Sequence, residues 1–446
     1  MIFTSTRNNE LKVEYSQAVS DCLPKDGGVF VPSATSFEDL RRWIYYIDKD
    51  TSFTSIAGTL TSAYMKNEFS PIICQTIAEK AFPFSPVIRQ LDENLFMLEL
   101  FHGYTGCYRD FGVSYLCSYL ETTHALKGGS SVFVDFTHGE LGALLAKVLR
   151  DKKTIKAVLV YQKGCVRGLE EQDYIWNGGN ILPVEMEGSE EDIKAAIRSL
   201  FDDEKLVKDL NLTLANTTNV CRLMAQVFHF PYAFAQIKQK IDGDIFYAME
   251  AGNYGMLIAG LYGWRFALPV NGFYVPATAS LGVNGAGYAQ VLDSLVKREK
   301  RGDADPIVPA NLERLEAFFE NNELMMRHFV YPSFVNERSR EKAAKELFIK
   351  YGIFADMGTA SAYASIIERV GDSGDADSAI VLVSQNHPSL NGEYCRHVTG
   401  EMPEMPVNIA NSLRPVRLER KIVNSSSELK KLIMENLTFL KMTVRI

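Results

Sequence analysis

Short apolar runs alternate with amphipathic segments along most of the chain. Residues 95–100 read as a strand and residues 110–124 as a helix. Ser131–Phe136, SVFVDF, is rich in β-branched and aromatic residues, which suits a strand. Residues 139–150 predict a helix, because Leu141, Leu144, Leu145 and Val148 recur at i, i+3, i+4 and i+7. Residues 156–161 are a further strand; a helix, a strand over Ile181–Met186 and a helix over Glu190–Phe201 follow. A second series runs from a strand at 245–249 to one at 379–383. Strands alternating with helices predict an α/β fold with parallel sheets covered on both faces. Two such units in one chain usually hold a ligand between them, at the carboxyl ends of the strands. The opening segment is mixed. It contains the turn-rich Leu23-Pro24-Lys25-Asp26-Gly27-Gly28 before the apolar Val29-Phe30-Val31. The expected division is an N-terminal domain over 1–92, a first α/β domain over 93–240 and a second over 241–446.

Composition narrows the function. The length of 446 residues argues for two or three domains, and 46% apolar residues supply a large core rather than a disordered chain. A net charge of −8 repels phosphate backbones, so nucleic acid is not an expected partner. No apolar run reaches the ~18 residues of a membrane span, and MIFTSTRNNE lacks the basic lead and apolar block of a secretory signal. The seven cysteines are scattered and never spaced C-x-x-C, which reads as reduced, mostly buried thiols in a cytoplasmic protein. The histidines form no H-x-x-x-H pair, and no metal site is expected.

There is no phosphate loop of the G-x-x-x-x-G-K-[ST] type, no H-E-x-x-H and no G-x-S-x-G. Gly285-Ala286-Gly287 lacks a third glycine and reads as a loop. Two strand-to-helix junctions are more informative: Thr137-His138-Gly139-Glu140-Leu141-Gly142 and Glu250-Ala251-Gly252-Asn253-Tyr254-Gly255. A glycine-rich turn entering a helix exposes backbone N–H groups and suits an anion; it also serves as a tight turn that permits close packing. A third junction, His102 to Phe111, gathers His, Thr, Cys, two Tyr and an Arg–Asp pair between a strand and a helix.

These segments are collinear with a known family. Ser5-Thr6-Arg7 and Leu23 to Pro32 resemble the S-T-R-G and L-A-P-D-G-G-L-Y-V-P of threonine synthases, fold type II pyridoxal-phosphate enzymes. Glu99-Leu100-Phe101-His102-Gly103 resembles the start of the family's E-L-F-H-G-P-T-L-A-F-K-D-F. Gly178-Gly179-Asn180, the run Ala215 to Gln226 (S-A-N-S-I-N-I-S-R-L-L-A-Q in the family), Gly252-Asn253-Tyr254-Gly255, Pro309 to Arg314 (P-S-N-F-E-R) and His387-Pro388 extend the match over nearly the whole length. The resemblance implies a fold like that of tryptophan synthase β, a pyridoxal phosphate cofactor, and conversion of O-phosphohomoserine to threonine and phosphate.

The departures fall at the implied site. The family's cofactor lysine, the K of A-F-K-D-F, is Arg109 here. A guanidinium has a pKa above ~12 and offers no free amine for a Schiff base, so Arg109 at the catalytic position is not expected to be competent. The resemblance assigns cofactor contacts to Gly252, Asn253, Tyr254, Gly255 and Gln385, and substrate contacts to Thr137, His138, Gly139 and Glu140. Two hydroxyl donors of the family's T-S-G-D-T-G turn have become His138 and Leu141, Ala251 replaces a serine, and G-T-A-H-P has become Ser384-Gln385-Asn386-His387-Pro388. Asp356-Met357-Gly358-Thr359-Ala360 stands for D-P-H-T-A. The expectation is a retained fold with impaired or repurposed chemistry and no covalently held pyridoxal phosphate. The alternatives are a lyase using another lysine, such as Lys127 or Lys163, or an interaction protein with a vestigial cleft. The expected partner is a small anionic ligand: phosphate, an amino acid or a pyridoxal-phosphate-like compound. Arg109 is open to two readings, an ion pair with a nearby carboxylate or an anion binder in the old cofactor pocket. His102 is expected as a satisfied buried histidine, Cys107 as a core thiol, and Tyr104 as a residue that narrows the cleft.

Overall fold

The structure is a computed structural model that describes residues 1–436 apart from 151, 175–179, 242, 292–299, 321 and 370–377. Gly178 and Gly179, from the Gly-Gly-Asn match, lie outside the described residues. Strands β1 (Ile2–Ser5), β2 (Val13–Glu14) and β3 (Phe30–Pro32) form a small antiparallel sheet in the order β2-β1-β3. Beside it, the helices Phe53–Tyr64 and Pro71–Ala81 present the buried Phe53, Ile56, Leu60 and Ile77 to a core shared with the rest of the protein. Strands β4 (Val87–Gln90) and β5 (Leu95–Glu99) follow.

The first α/β unit is built on β6 (Ser131–Phe136), β7 (Ile155–Gln162), β8 (Ile181–Met186) and β9 (Leu212–Thr213). All four are parallel, in the order β8-β7-β6-β9. Because both faces are covered, these strands are largely apolar rather than alternating. The second unit adds β10 (Ile245–Ala248), β11 (Gly272–Pro276), the hairpin β12 (Leu281–Val283) and β13 (Ala289–Val291), β14 (Val330–Ser333) and β15 (Ala379–Ser384). Gly285 to Gly287 lies in the turn of that hairpin.

The six-stranded sheet runs β14-β11-β10-β15-β5-β4, parallel except at β4. Thus the strand at 95–99, expected to open the first α/β unit, pairs with β15 in the second, and the boundary expected near 93 falls between two paired strands. The C-terminal helix Ser426–Glu435 returns to the first unit, burying Leu429 and Ile433 against Val132, Ile193 and Ile197. Alternation along the sequence reports that a strand is doubly covered. It does not report which sheet receives it.

Candidate active site

Three helix N-termini converge at the carboxyl ends of these strands. The first helix, Arg109–Lys127, begins where the sequence places the family lysine. Its entry is braced by Asp110, which is fully buried and accepts from the Thr105 amide (2.8 Å) and hydroxyl (2.6 Å). A Cβ on Gly103 would stand 2.5 Å from Asp110 Oδ2, so only glycine admits this fold-back. Burial pushes the Asp110 carboxyl up to about 6 and the Cys107 thiol up to about 11, which leaves Cys107 an unreactive core thiol at neutral pH. Tyr104 turns its ring edge-on to Phe84.

Arg109 is open to water within a concave surface, so solvent reaches a side chain that protein surrounds. Cys107, and less strongly Tyr108 and Glu140, raise its pKa, and the guanidinium is permanently charged. No carboxylate among the described residues forms an ion pair with it, so of the two readings the ion pair is not seen there and the charge is exposed. The Tyr108 amide donates to the Gln385 carbonyl at 2.7 Å, and an isolated bridge joins Cys107 to Asn386. Gln385 therefore stands beside the start of the Arg109 helix through its backbone, while its side chain is buried.

The second N-terminus is the helix Gly255–Arg265. Its turn is held by its own side chains: Asn253 accepts from the Gly255 amide (3.1 Å) and donates to Thr217 Oγ1 (3.1 Å), and the Tyr254 hydroxyl meets Thr278. Tyr254 takes a left-handed backbone (φ 63°), as does Gly252 (φ 48°). The Tyr254 amide is occupied by the Ala251 carbonyl, whereas the amides of Gly252 and Asn253 have no protein acceptor among the described residues and face water. Next to this turn lies Glu250. Its Oε2 and Asp356 Oδ2 would stand 2.4 and 3.4 Å from a Cβ on Gly358, so two carboxyl groups converge over that glycine. Burial, then the proximity of Asp356, raises the Glu250 pKa against the opposing influence of Arg109. Asp356 is buried and bonded to the Thr359 amide (3.0 Å) and Asn386 (3.1 Å).

The third N-terminus is the helix Glu140–Leu149. The buried Thr137 hydroxyl accepts from the Gly139 and Gly142 amides at 2.9 Å each, so Thr137 shapes the turn from within. His138 is exposed, 3.3 Å from Glu190 and edge-on to Phe136. Arg167 crosses the turn: its guanidinium donates to the His138 carbonyl and to Glu140 (3.2 Å), and its Nε would meet a Cβ on Gly139 at 2.2 Å. Sequence reasoning missed Arg167, and it placed Glu250 in its junction without a role. The one available signal for Arg167 was the Arg-Gly pair in a loop that follows a strand. His102, expected to be buried, is exposed and is satisfied by Glu99 at 2.7 Å. Its strand ends at Glu99, so the residue has already left the covered sheet. Among the described residues no cluster of three or more metal-binding side chains occurs, and no helix is long and apolar enough to cross a membrane.

Comparison with known proteins adds four findings. A family model described as threonine synthase N terminus matches residues 2–82. The threonine synthase of Escherichia coli (strain K12) is 25% identical over 439 residues, covering 96% of this chain and 98% of that protein. Among solved structures, threonine synthase from Escherichia coli superposes with a TM-score of 0.76 at 23% identity, covering 98% of this chain and 100% of that one. The pyridoxal-phosphate-bound threonine synthase from Brucella melitensis gives 0.79 at 19% identity, with coverages of 99% and 100%. The structural matches establish the fold. The family model and the full-length sequence likeness show that the chain resembles threonine synthases, fold type II pyridoxal-phosphate enzymes, along nearly its whole length.

Proposed function

We propose that the protein keeps the threonine synthase scaffold without the family's Schiff-base chemistry, and that its cleft binds a small anionic ligand non-covalently. The carrying observation is Arg109, a guanidinium without a carboxylate partner among the described residues, facing the cleft where the collinear motif has its lysine. Pyridoxal phosphate would supply an electron sink, but the residues here do not fit a covalently held form. Arginine has no deprotonating amine, Ala251 offers no hydroxyl, and the Glu250 carboxyl sets negative charge beside the turn that would take a phosphate. What remains suited to an anion is the Arg109 charge and the open amides of Gly252 and Asn253 at a helix N-terminus.

A substitute lysine is not favoured by geometry. Lys127 ends the helix that Arg109 begins, about 27 Å away at 1.5 Å per residue, where it lies over Phe69. Lys163 pairs with Glu187 at 2.8 Å on an exposed surface. Burial lowers the Lys156 ammonium to about 8, but Lys156 sits at the amino-terminal end of β7, remote from the carboxyl-end cleft.

The test is an absorbance titration with pyridoxal phosphate, then borohydride reduction and peptide mapping, alongside an assay of phosphate release from O-phosphohomoserine. The expected result is weak binding reversible on dialysis, no reducible adduct at a single lysine, and no phosphate release. Arg109→Lys is expected to recover partial adduct formation at position 109, since His138, Leu141 and Gln385 still differ from the family pattern. A stoichiometric adduct at one lysine of the unaltered protein refutes the proposal and revives the lyase reading.

A further inference from the structure

Behind the Thr137–Gly142 turn, a cavity of about 360 Å³ lies between the second half of the helix Glu140–Leu149, the loop at 168–170, residues 104–105 and the helix Val407–Leu413. Three cations, Lys147, Arg150 and Arg414, and one carboxylate, Glu170, line it. Arg150 is already committed, to Glu170 at 3.1 Å and to the buried Asp173 at 2.9 Å. Lys147 and Arg414 have no acidic partner among the described residues, and both are solvent-exposed at the cavity wall. Two like charges at one small cavity raise its positive potential, which favours an anion there. We propose that this cavity is a second anion site, for the phosphate group of a small phosphorylated metabolite, with Lys147 and Arg414 as its ligating cations.

Several features argue for a built site. The walls are tied together around it. The Gly168 amide donates to the Arg414 carbonyl at 2.9 Å, and Gly168 (φ +75°) leaves room for the Ser412 carbonyl, 2.3 Å from where a Cβ would be. Asn408 donates to the Gly103 and Tyr104 carbonyls at 2.9 and 3.2 Å. The cations are thus carried on braced elements rather than free loops. The phosphate dianion matches the chemistry: Arg414 offers a planar fork and Lys147 a point charge, and Asn411 brings a side-chain amide to the same lining. The volume exceeds that of a bare phosphate and leaves space for an organic body against Tyr104, Ala143 and Leu169. Lys147 lies seven residues along the helix from Glu140, about 10 Å, and the lining includes neither Arg109 nor the Gly252–Gly255 turn.

The experiment is calorimetric titration of the full-length protein with inorganic phosphate at low ionic strength, in three forms: the parent, Lys147→Gln/Arg414→Gln, and Arg109→Ala. The double variant alters exposed side chains, and its melting curve verifies that it folds. The expected result is a saturable phosphate site that the double variant weakens at least tenfold and Arg109→Ala retains, distinct from any cleft binding, which the double variant keeps and Arg109→Ala loses; raising salt weakens both. Equal binding by the parent and the double variant overturns the proposal. So does binding abolished by Arg109→Ala alone, which would assign the phosphate to the cleft, and so does the absence of saturable binding below about 10 mM.

Discussion

Replacing Arg314 by methionine removes a fully buried guanidinium that joins three parts of the protein. Its Nε donates to the Phe30 carbonyl in β3 (3.0 Å), Nη1 to the Thr217 carbonyl and to Asn311 Oδ1 (2.6 Å each), and Nη2 to the Thr218 carbonyl (3.0 Å). None of these acceptors is a carboxylate. Burial lowers its pKa to about 10, so it stays charged at neutral pH and is held by carbonyl dipoles. Methionine fills much of the volume but leaves those acceptors buried and unpaired, at about 1–3 kcal/mol for each. Relief of the guanidinium's own desolvation offsets part of this, so the net loss from four orphaned acceptors is about 3 kcal/mol or more. With each kcal/mol worth about 2–4 °C in a domain-sized unit, the first thermal transition should fall by at least ~6 °C. Calorimetry or circular dichroism melting reads it. Arg314→Lys should recover little, because one ammonium cannot reach acceptors set in three directions. A variant melting within ~2 °C of the parent would refute the assignment of Arg314 as the tie between the N-terminal sheet, residues 216–219 and the helix Asn311–Phe319.

Two further predictions concern titration. Burial pushes the Asp135 carboxyl up to about 7, although it accepts from the Ala215 amide at 3.1 Å and faces Arg222. The folded state therefore holds a proton that the unfolded state loses near pH ~4, and stability falls as pH rises from there towards 7, by up to ~1.4 kcal/mol per unit. Asp135→Asn should flatten that slope in urea titrations between pH 5 and pH 7; parallel slopes in parent and variant would contradict it. His229 is buried between Phe53 and Phe111, neither ring nitrogen has a hydrogen-bond partner among the described residues, and burial lowers its pKa to about 3. The unfolded state takes up that proton first, so stability is lost as pH falls below ~6.5. His229→Phe should be neutral to stabilising at pH 7 and hold more of its stability at pH 5; a large loss at pH 7 would mean that a nitrogen has a partner.

Much of the first unit was legible because its strands are buried on both faces: Ser131–Phe136 and Ile181–Met186 form where continuous apolar runs predict them. Sheet membership was not, since β5 and β15 are paired by contacts between residues nearly 300 positions apart. At the site, the motif order located Arg109 and the two glycine-rich turns. Side-chain partnerships were invisible. Nothing in the spacing links Arg167 to the carbonyl of His138, or Glu250 to Asp356 over Gly358. Nor does the spacing show that the Asp110 carboxyl folds back to hold Thr105. Such contacts depend on rotamers and on close approach of distant backbones, which local pattern does not encode.

Burial accounts for which family positions this protein matches and which it does not. Asn219 donates to the Val19 carbonyl (3.1 Å) and Thr213 Oγ1 (3.2 Å) and accepts from the Cys221 amide (3.0 Å), all inside the protein. Asn311 and Arg314 are likewise buried and engaged. A change at any of these leaves polar atoms unpaired in a low-dielectric interior, so the residue type is fixed by folding. Arg109 and His138 face water in the cleft, where the fold makes no such demand. The first residue of a helix already has solvent for its backbone amide, and a long cationic side chain there fits as either lysine or arginine. One substitution at that position removes an amine from the chemistry while leaving every buried contact in place. If the proposed loss of the Schiff base holds, it therefore asks little of the fold, because the position that carries it lies outside the buried network that fixes Asn219, Asn311 and Arg314.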